Sequence, residues 1–503
     1  MSGSGSCNDA RERRHESWSF TFNLCAASVV ALAAISGRAA AQAPRANGDT
    51  LNVQHYAGTT YEYVAKRQTQ TMGEGAMTGR HPQKGAWLIV ALLFLFMLIN
   101  FVDKAVLGLA AVPIMKELEL TPSQFGFVAS SFFFLFSISA VITGFIVNRM
   151  PTRWALLVMA LVWVLAQFPM IGTVGLGTLV ACRVLLGAGE GPAYPVALHS
   201  AYKWFPNEYR TLPTSIIAQG AAVGVVLALP LLNWIIIHYS WHWAFGMLGI
   251  VGLAWVLLWF VLGTEGEIVE TVAETTGRRI ERVPYAQLLF NATTLSCWAV
   301  GFAAYWGLSL LVAWSTPYFI KGLGYSQYAA GYLSTMPWAA GVIIVIGSGW
   351  ASQRMLAHGA STRWARGVFS GLAVVVGGLA LIVMPHLESD ILKIAMLVIG
   401  LSLPSVIYVM GHAMLSEFTP VPQRGAMLAI TNSVWTLAGL LAPYLMGQVI
   451  EGAATAAEGY QQGFVLCGVV TLIGGLIGLV FLRPGTEVSR FAPRHGSVLA
   501  PAG

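Results

Sequence analysis

The chain has 503 residues, of which 56% are hydrophobic and only 10% are charged. Soluble domains carry roughly 25% charged residues, so this chain has too few to cover a water-facing surface, and an ordinary soluble protein is excluded. The net charge of +6 does not indicate a nucleic-acid partner, because the basic residues lie in short loops between long apolar blocks.

Residues 1–85 form an N-terminal extension that differs from the rest of the chain. Basic residues precede a moderately apolar run, 20–35, and Ala41-Gln42-Ala43 has the form of a signal cleavage site. A cleaved signal would leave basic residues on the wrong side of the membrane before the first long apolar block. The sequence favours an over-extended start, with Met72 or Met77 as the initiator, or a disordered tail. Two alternatives stay open for these residues: a signal sequence or extra span, and an extension with a function of its own.

Twelve apolar segments follow residue 85, and each is about long enough for a helix that crosses hydrocarbon, which needs ~20 residues. Lipid offers no hydrogen bonds to the backbone, so each segment must be helical. The predicted spans are 87–112, 124–147, 153–172, 174–198, 213–237, 241–263, 293–320, 327–350, 365–385, 391–416, 424–449 and 461–482.

The flanking Lys and Arg residues are strongly biased between the two sides of these spans. Sixteen lie on one side, and only Lys116, Lys321 and Lys393 lie on the other. This bias predicts a multi-pass protein of the inner membrane, in which both ends of the twelve-helix unit are cytoplasmic.

A polar, charged connection, 264–287, divides the spans six and six. Similar sequences follow the second and eighth spans, Gly144-Phe-Ile-Val-Asn148-Arg149 and, 205 residues later, Gly349-Trp-Ala-Ser-Gln353-Arg354. Duplicated halves around a binding site are a recurrent transporter design. The sequence predicts an all-α membrane protein, with two pseudo-symmetric six-helix halves around a central cavity. The predicted domains are 1–85, 86–263, 264–287, 288–485 and 486–503.

Four ionisable residues lie deep within the spans: Asp103, Lys104, Arg183 and Glu190. An unpaired charge at the bilayer centre costs at least ~2.5–3.5 kcal/mol, so such residues usually line a substrate or proton path. The alternative is a pair of buried salt bridges that only lock spans one and four together. Stability alone explains them poorly, because replacing such pairs with apolar residues is often neutral or stabilising.

The spacing of these charges predicts how they are arranged. Arg183 and Glu190 are seven residues apart, so two helical turns bring them onto one face. Asp103 and Lys104 point roughly 100° apart and cannot both face the same partner. Two cations are appropriate for an anionic ligand, and two buried carboxylates are appropriate for proton coupling.

Small residues share the face of span four that carries the charges. Gly187 and Gly191 leave room beside them, and Tyr194 lies near the same face. Close helix packing by small residues is the alternative interpretation, and both can hold.

Four stretches carry a family resemblance. They are Arg183-Val-Leu-Leu-Gly187-Ala-Gly189-Glu190-Gly191-Pro192-Ala-Tyr194-Pro195 with Trp204-Phe205-Pro206, Asn100-Phe-Val-Asp103-Lys104, Trp314-Ser-Thr-Pro317-Tyr318, and the set Asn432, Gly439, Pro443 and Gly447. They resemble the fourth, first, seventh and eleventh helices of the major facilitator superfamily, in its anion:cation symporter branch. The resemblance covers about residues 85–485.

The resemblance implies roles for individual residues. Arg183 would bind the substrate carboxylate, and Asp103 and Glu190 would form the protonatable pair that couples proton entry to transport. Tyr194 and Asn432 would be polar contacts near the cavity, with hydrogen bonding between helices as the alternative.

The sequence departs from the branch at two places. Relatives usually carry Arg where this chain has Lys104, a predicted substrate-binding residue, so bidentate recognition is lost there. The loop after span two normally reads G-x-x-x-D-R-x-G, but here Asn148 replaces Asp and Pro151 replaces Gly. The predicted gating and packing residues Gly144, Asn148 and Arg149 therefore form a weakened cytoplasmic latch.

The predicted function is secondary active transport: proton-coupled uptake of a small organic anion by alternating access. An exporter or exchanger of the same substrates, a polytopic enzyme and a non-transporting sensor are the alternatives. The chain has no HExxH, G-x-S-x-G or phosphate-loop motif, and its five cysteines form no C-x-x-C pair. We therefore predict no catalytic residue, no metal and no cofactor. The predicted coupling ion is the proton, with sodium open, and the predicted partners are the lipid bilayer and the anion, bound by a monomer.

Overall fold

The computed structural model describes residues 83–147, 150–205, 209–266 and 283–491, and these are almost entirely helical. The predicted N-terminal extension lies outside the described residues except for its last three positions. Asn148, Arg149, most of the connection 264–287 and the end of the C-terminal tail also lie outside them.

The helices of the first half begin and end close to the predicted spans. Short breaks divide some spans into two helices, and a 3₁₀ turn, Phe168–Ile171, ends the third. The helices are Ala86–Leu109, Ala111–Glu117, Pro122–Ser131, Phe133–Val147, Thr152–Gln167, Leu176–Glu190, Ala193–Tyr202, Thr211–His238 and Trp241–Leu262.

The second half has the same organisation. Its seventh and ninth spans contain π-helical turns, Tyr318–Gly322 and Arg363–Val368. Its 3₁₀ turns are Met384–His386 and Leu403–Ser405. Its α-helices are Tyr285–Leu289, Ala292–Pro317, Gln327–Leu333, Met336–Ala357, Phe369–Val383, Asp390–Ser402, Val406–Phe418, Val421–Gly452, Ala456–Phe481 and Pro484–Phe491.

Among the described residues, eleven helical stretches are long and apolar enough to cross a membrane. The predicted fourth span is present as two helices, Leu176–Glu190 and Ala193–Tyr202, each too short to be counted alone. The twelfth span begins at Ala456, five residues before the predicted start, because the Thr455 side chain accepts a hydrogen bond from the Glu458 amide and caps the helix there.

Hydrogen bonds join the two halves near the ends of the spans that are poor in Lys and Arg. The Gln327 side chain at the start of span eight donates to the Leu109 carbonyl and to Asn233 Oδ1, both at 3.0 Å. The Ser123 amide at the start of span two donates to Glu451 Oε2 at the end of span eleven, at 3.1 Å. These contacts hold the halves together on that side.

A carboxylate from the end of span six holds the start of span three on the opposite side. Glu265 accepts hydrogen bonds from the backbone amides of Thr152 and Arg153, at 3.1 and 3.0 Å, and pairs with Lys203. The first turn of a helix has unpaired amides and a partial positive charge, so a carboxylate is stabilised there. Burial raises the pKa of the Glu265 carboxyl, but Lys203 and these amides lower it, and the net pKa lies below the ordinary value.

We expect Glu265→Gln to lower the free energy of unfolding by about 2 kcal/mol, because hydrogen bonds to a charged group contribute about 1.5–3 kcal/mol. A group whose folded-state pKa is depressed stabilises above its unfolded pKa, and that stabilisation is lost as pH falls through the folded pKa. The melting temperatures of wild type and variant in detergent should therefore differ at neutral pH and converge well below about pH 4.3. A difference that persists unchanged at acid pH would contradict this role.

Candidate functional site

The fourth span is broken just after Glu190, where Gly191 and Pro192 separate its two helices. Proline lacks an amide hydrogen and its ring clashes with the preceding turn, so the helix does not continue through it. Glu190 is therefore the last residue of the helix that also carries Arg183, and both side chains are buried.

Gly187 and Gly191 lie where span four meets span two backbone to backbone. A Cβ atom on Gly187 would lie 1.7 Å from the Phe132 carbonyl oxygen, and one on Gly191 would lie 2.0 Å from the Phe136 carbonyl oxygen. Only glycine allows this approach. The glycines thus set the packing of span four, and with it the position of the charges that the same helix carries.

Lys104 pairs with Glu190 across spans one and four. Its ammonium nitrogen lies 2.8 Å from Glu190 Oε2 and donates to Asn100 Oδ1 at 2.6 Å. It also lies over the rings of Phe101 and Phe136, with nitrogen-to-centroid distances of 4.5 and 5.6 Å. These rings exclude water while stabilising a cation through their faces.

Asp103 and Arg183 form the second contact between the same two spans. The Arg183 guanidinium donates to the backbone carbonyl of Asp103 at 3.2 Å and lies 4.9 Å from the centre of the Phe132 ring. The Asp103 carboxyl lies beside the amide of Gln167, in span three. Asp103 and Lys104 thus have different neighbours, which agrees with their angular separation on the helix.

The four charged side chains differ in exposure. The Lys104 side chain is 11% exposed, whereas Asp103, Arg183 and Glu190 are 1%, 3% and 2% exposed. Lys104 is therefore the most exposed charge of the cluster.

Several polar atoms of this cluster lack a hydrogen-bond partner within the described part of the chain. They are Asp103 Oδ1, Arg183 Nε, Glu190 Oε1 and Asn100 Nδ2. Leaving a buried polar atom unpaired is costly, and the cost is higher for charged groups. The cluster therefore has capacity to bind a proton or a further polar ligand.

The remaining predicted site residues lie near the cluster or apart from it. Tyr194 is 41% exposed, one turn beyond Glu190, and Asn432 is half-buried in span eleven. Among the described residues, neither makes a hydrogen bond to the four charged side chains. Gly144 lies near the end of helix Phe133–Val147.

Sequence reasoning assigned no role to three residues that the structure places at the cluster. Asn100 accepts a hydrogen bond from Lys104, and Gln167 is a single amide within an apolar span, beside Asp103. The Tyr305 ring lies 5.9 Å from that of Phe133, which in turn contacts the Phe132 ring beside Arg183. The signal for Gln167 was its polarity in a lipid-spanning segment. No sequence pattern connects Tyr305 with Glu190, because they belong to different halves.

Twelve apolar segments in two halves, with a buried charge cluster between spans one and four, are typical of a polytopic transporter. A sequence model of the Major Facilitator Superfamily matches residues 93–404. The chain belongs to the Major Facilitator Superfamily, which confirms the predicted family and the prediction that it is not an enzyme.

Named relatives cover most of the same region. The D-galactonate transporter of Escherichia coli O6:H1 is 24% identical over 421 residues, which are 78% of this chain and 95% of that protein. The hexuronate transporter of Bacillus subtilis is 25% identical over 409 residues, which are 79% of this chain and 94% of that protein. These names agree with the resemblance to the anion:cation symporter branch.

Solved structures confirm the predicted fold. A bacterial homolog of the human lysosomal transporter Spinster, in an inward-facing and unoccupied conformation, matches with a TM-score of 0.68 and 16% identity. The match covers 81% of this chain and 99% of that one. At this identity the likeness concerns the fold alone.

Proposed function

We propose that this protein is a proton-coupled symporter, which carries a small organic anion into the cytoplasm by alternating access. The pair of Lys104 and Glu190, 2.8 Å apart, carries the proposal, because Lys104 is also the most exposed charge of the cluster. The relatives named as D-galactonate and hexuronate transporters support an organic anion as the substrate.

Competition for Lys104 would couple the proton to the substrate. When Glu190 is ionised, its carboxylate neutralises the Lys104 ammonium and leaves little affinity for a second carboxylate. When Glu190 binds a proton, Lys104 loses its charged partner and binds the carboxylate of the substrate instead. Proton and anion therefore bind together and leave together, which is symport.

The membrane potential favours this stoichiometry. Importing a monoanion against an inside-negative potential costs ~2.3 kcal/mol per 100 mV. One proton that travels with the anion cancels this cost, and a second proton would make entry electrogenic.

The other residues of the cluster support the Lys104–Glu190 pair. Arg183 adds positive charge next to the Lys104–Glu190 pair. Asp103 balances that charge and provides a second protonatable carboxyl. Tyr194 and Asn432 contribute polar contacts to the substrate. The gating role of the segment that follows span two stays a prediction.

We infer that the protein lies in the inner membrane and that its side rich in Lys and Arg faces the cytoplasm, as the positive-inside rule predicts. The hydrogen bonds of Gln327 and of Ser123 then lie at the outer ends of the spans. In this arrangement the protein is closed towards the outside. Both halves of the site belong to one chain, so a monomer suffices for transport.

The test is uptake by proteoliposomes that contain the purified protein, with a more acidic medium outside than inside. We expect a radiolabelled organic acid to accumulate above its outside concentration, and a pH dye inside to report proton entry that depends on the acid. A protonophore should abolish the accumulation. Uptake that only equilibrates, or that a sodium gradient alone drives, would contradict proton symport.

A further inference from the structure

Among the described residues, the deeply buried charges within spans, Asp103, Arg183 and Glu190, all lie in the first half, and the spans of the second half have none. No Asp, Glu, Lys or Arg occurs in the central parts of its six spans. These parts are 292–320, 327–353, 367–387, 394–416, 425–450 and 459–482. A substrate between the halves therefore meets charge on one side only.

Aromatic rings run from the first half into this uncharged half. The Phe133 ring lies 5.9 Å from that of Tyr305, and the Tyr305 ring lies 6.4 Å from that of Tyr408. The Tyr408 ring lies 5.8 Å from that of Trp435, and the Trp435 ring lies 4.7 Å from that of His412. We call these five residues the ring row.

Trp435 is the buried member that anchors the ring row. It is 1% exposed, and its Nε1 atom donates to the Cys297 carbonyl at 3.0 Å. A Cβ atom on Gly301 would lie 1.9 Å from the same nitrogen, so the indole fills the space that this glycine leaves. Tyr305, Tyr408 and His412 are half-buried and present the accessible part of the row.

Two polar atoms of the ring row have no partner within the described ranges. Tyr408 Oη and His412 Nε2 are buried, and neither makes a hydrogen bond there. Buried polar groups are normally paired, so each unpaired one requires an explanation. A ligand group that forms a hydrogen bond with either atom provides one.

The ring row also reaches the charge cluster, because the Phe133 ring lies 5.9 Å from that of Phe136, and the Lys104 nitrogen lies 5.6 Å from the centre of the Phe136 ring. In addition, Phe101 beside Lys104 contacts Trp338 of the second half edge to face, with ring centroids 6.2 Å apart. Charge on one side and aromatic faces on the other therefore meet at the boundary between the halves.

We propose that the substrate is an aromatic carboxylate that bears one hydrogen-bonding ring substituent. Its carboxylate binds Lys104, its ring packs against Tyr305 and Tyr408, and its substituent reaches Tyr408 Oη or His412 Nε2. A sugar acid fits less well, because each of its several hydroxyls would lose water and need a partner that aromatic faces do not supply. This inference rests on the proposed function and narrows its substrate class.

Equilibrium binding to the purified full-length protein tests the inference with four matched acids. They are 4-hydroxybenzoate, benzoate, the non-aromatic cyclohexanecarboxylate, and galactonate. We expect benzoate to bind about fivefold more tightly than cyclohexanecarboxylate. The reason is that contacts between aromatic rings contribute binding free energy beyond that of the apolar area they bury. The ring hydroxyl of 4-hydroxybenzoate should add about fivefold to tenfold more.

The double variant Tyr408→Phe/His412→Phe should remove the advantage of 4-hydroxybenzoate over benzoate, because it deletes both polar atoms and keeps an aromatic ring at each position. Tyr460→Phe is the matched control, because Tyr460 is a buried tyrosine of the same half outside the ring row. It should preserve the advantage. If the double variant does not fold, Tyr305→Leu replaces it and should abolish the preference for benzoate over cyclohexanecarboxylate.

Two results would overturn the inference in distinguishable ways. If galactonate or cyclohexanecarboxylate binds as tightly as benzoate, the aromatic substrate is wrong while organic-anion transport stands. If none of the four acids binds, and proteoliposomes also fail to take up any organic acid, the proposed function fails with it.

Discussion

Replacing Lys104 with methionine should weaken binding of the organic anion at least about a hundredfold. Truncating one partner of a buried, hydrogen-bonded charge pair between protein and ligand costs about 2–5 kcal/mol of binding free energy, and ~2.7 kcal/mol corresponds to a hundredfold change in affinity. The variant also leaves two carboxylates, Asp103 and Glu190, against a single Arg183. The site then repels an anion. The dissociation constant, from calorimetry or ligand-induced thermal shift, checks this prediction.

Two variants separate charge from a general loss of structure. Lys104→Arg restores a cation and should retain binding within about tenfold, since arginine also pairs with carboxylates. Lys393→Met removes a lysine that pairs with Asp390 near the start of span ten, at 3.6 Å, and should not change affinity. An unaltered dissociation constant in Lys104→Met, with Lys393→Met as the reference, would remove Lys104 from the site.

The sequence was sufficient to locate the charge cluster, and the reason is energetic. A charge within a lipid-spanning segment is so costly that composition alone identifies it. Asp103, Lys104, Arg183 and Glu190 were found without any knowledge of their neighbours. The number of spans followed from the same physics, because apolar length and the distribution of Lys and Arg are properties of single segments.

The pairing within the cluster could not be predicted from the sequence. It depends on how far span four rotates and how closely it approaches span two, which Gly187 and the Phe132 carbonyl determine through tertiary packing. The resemblance implies that Arg183 binds the substrate carboxylate, and this role stays a prediction. In the structure its guanidinium donates to the Asp103 backbone carbonyl, and Lys104 is the more exposed cation. Periodicity places residues on a face but does not identify what that face contacts.

Contacts between distant segments were missed for the same reason. Glu265 was counted as one charge of a polar connection, yet it holds the start of span three, more than a hundred residues earlier. In the loop after span two, Asn148 replaces the aspartate that is usual in the family, and this replacement predicts a weakened cytoplasmic latch. Asn148 lies outside the described residues, so the weakened latch stays a prediction.

Glu190→Gln should abolish proton-driven accumulation while exchange of internal for external substrate continues. Glutamine resembles the protonated carboxyl, so it leaves Lys104 permanently available to the substrate. Protonation at position 190 then no longer controls whether Lys104 pairs with that side chain or with the substrate carboxylate. Substrate affinity should then be independent of pH, whereas wild type should bind more tightly at acid pH. Glu458→Gln, which alters an exposed carboxylate bonded to Gln462, is the control and should behave as wild type. If Glu190→Gln keeps the wild-type pH dependence of both affinity and uptake, the proton binds elsewhere, and Asp103 becomes the coupling carboxyl to test next.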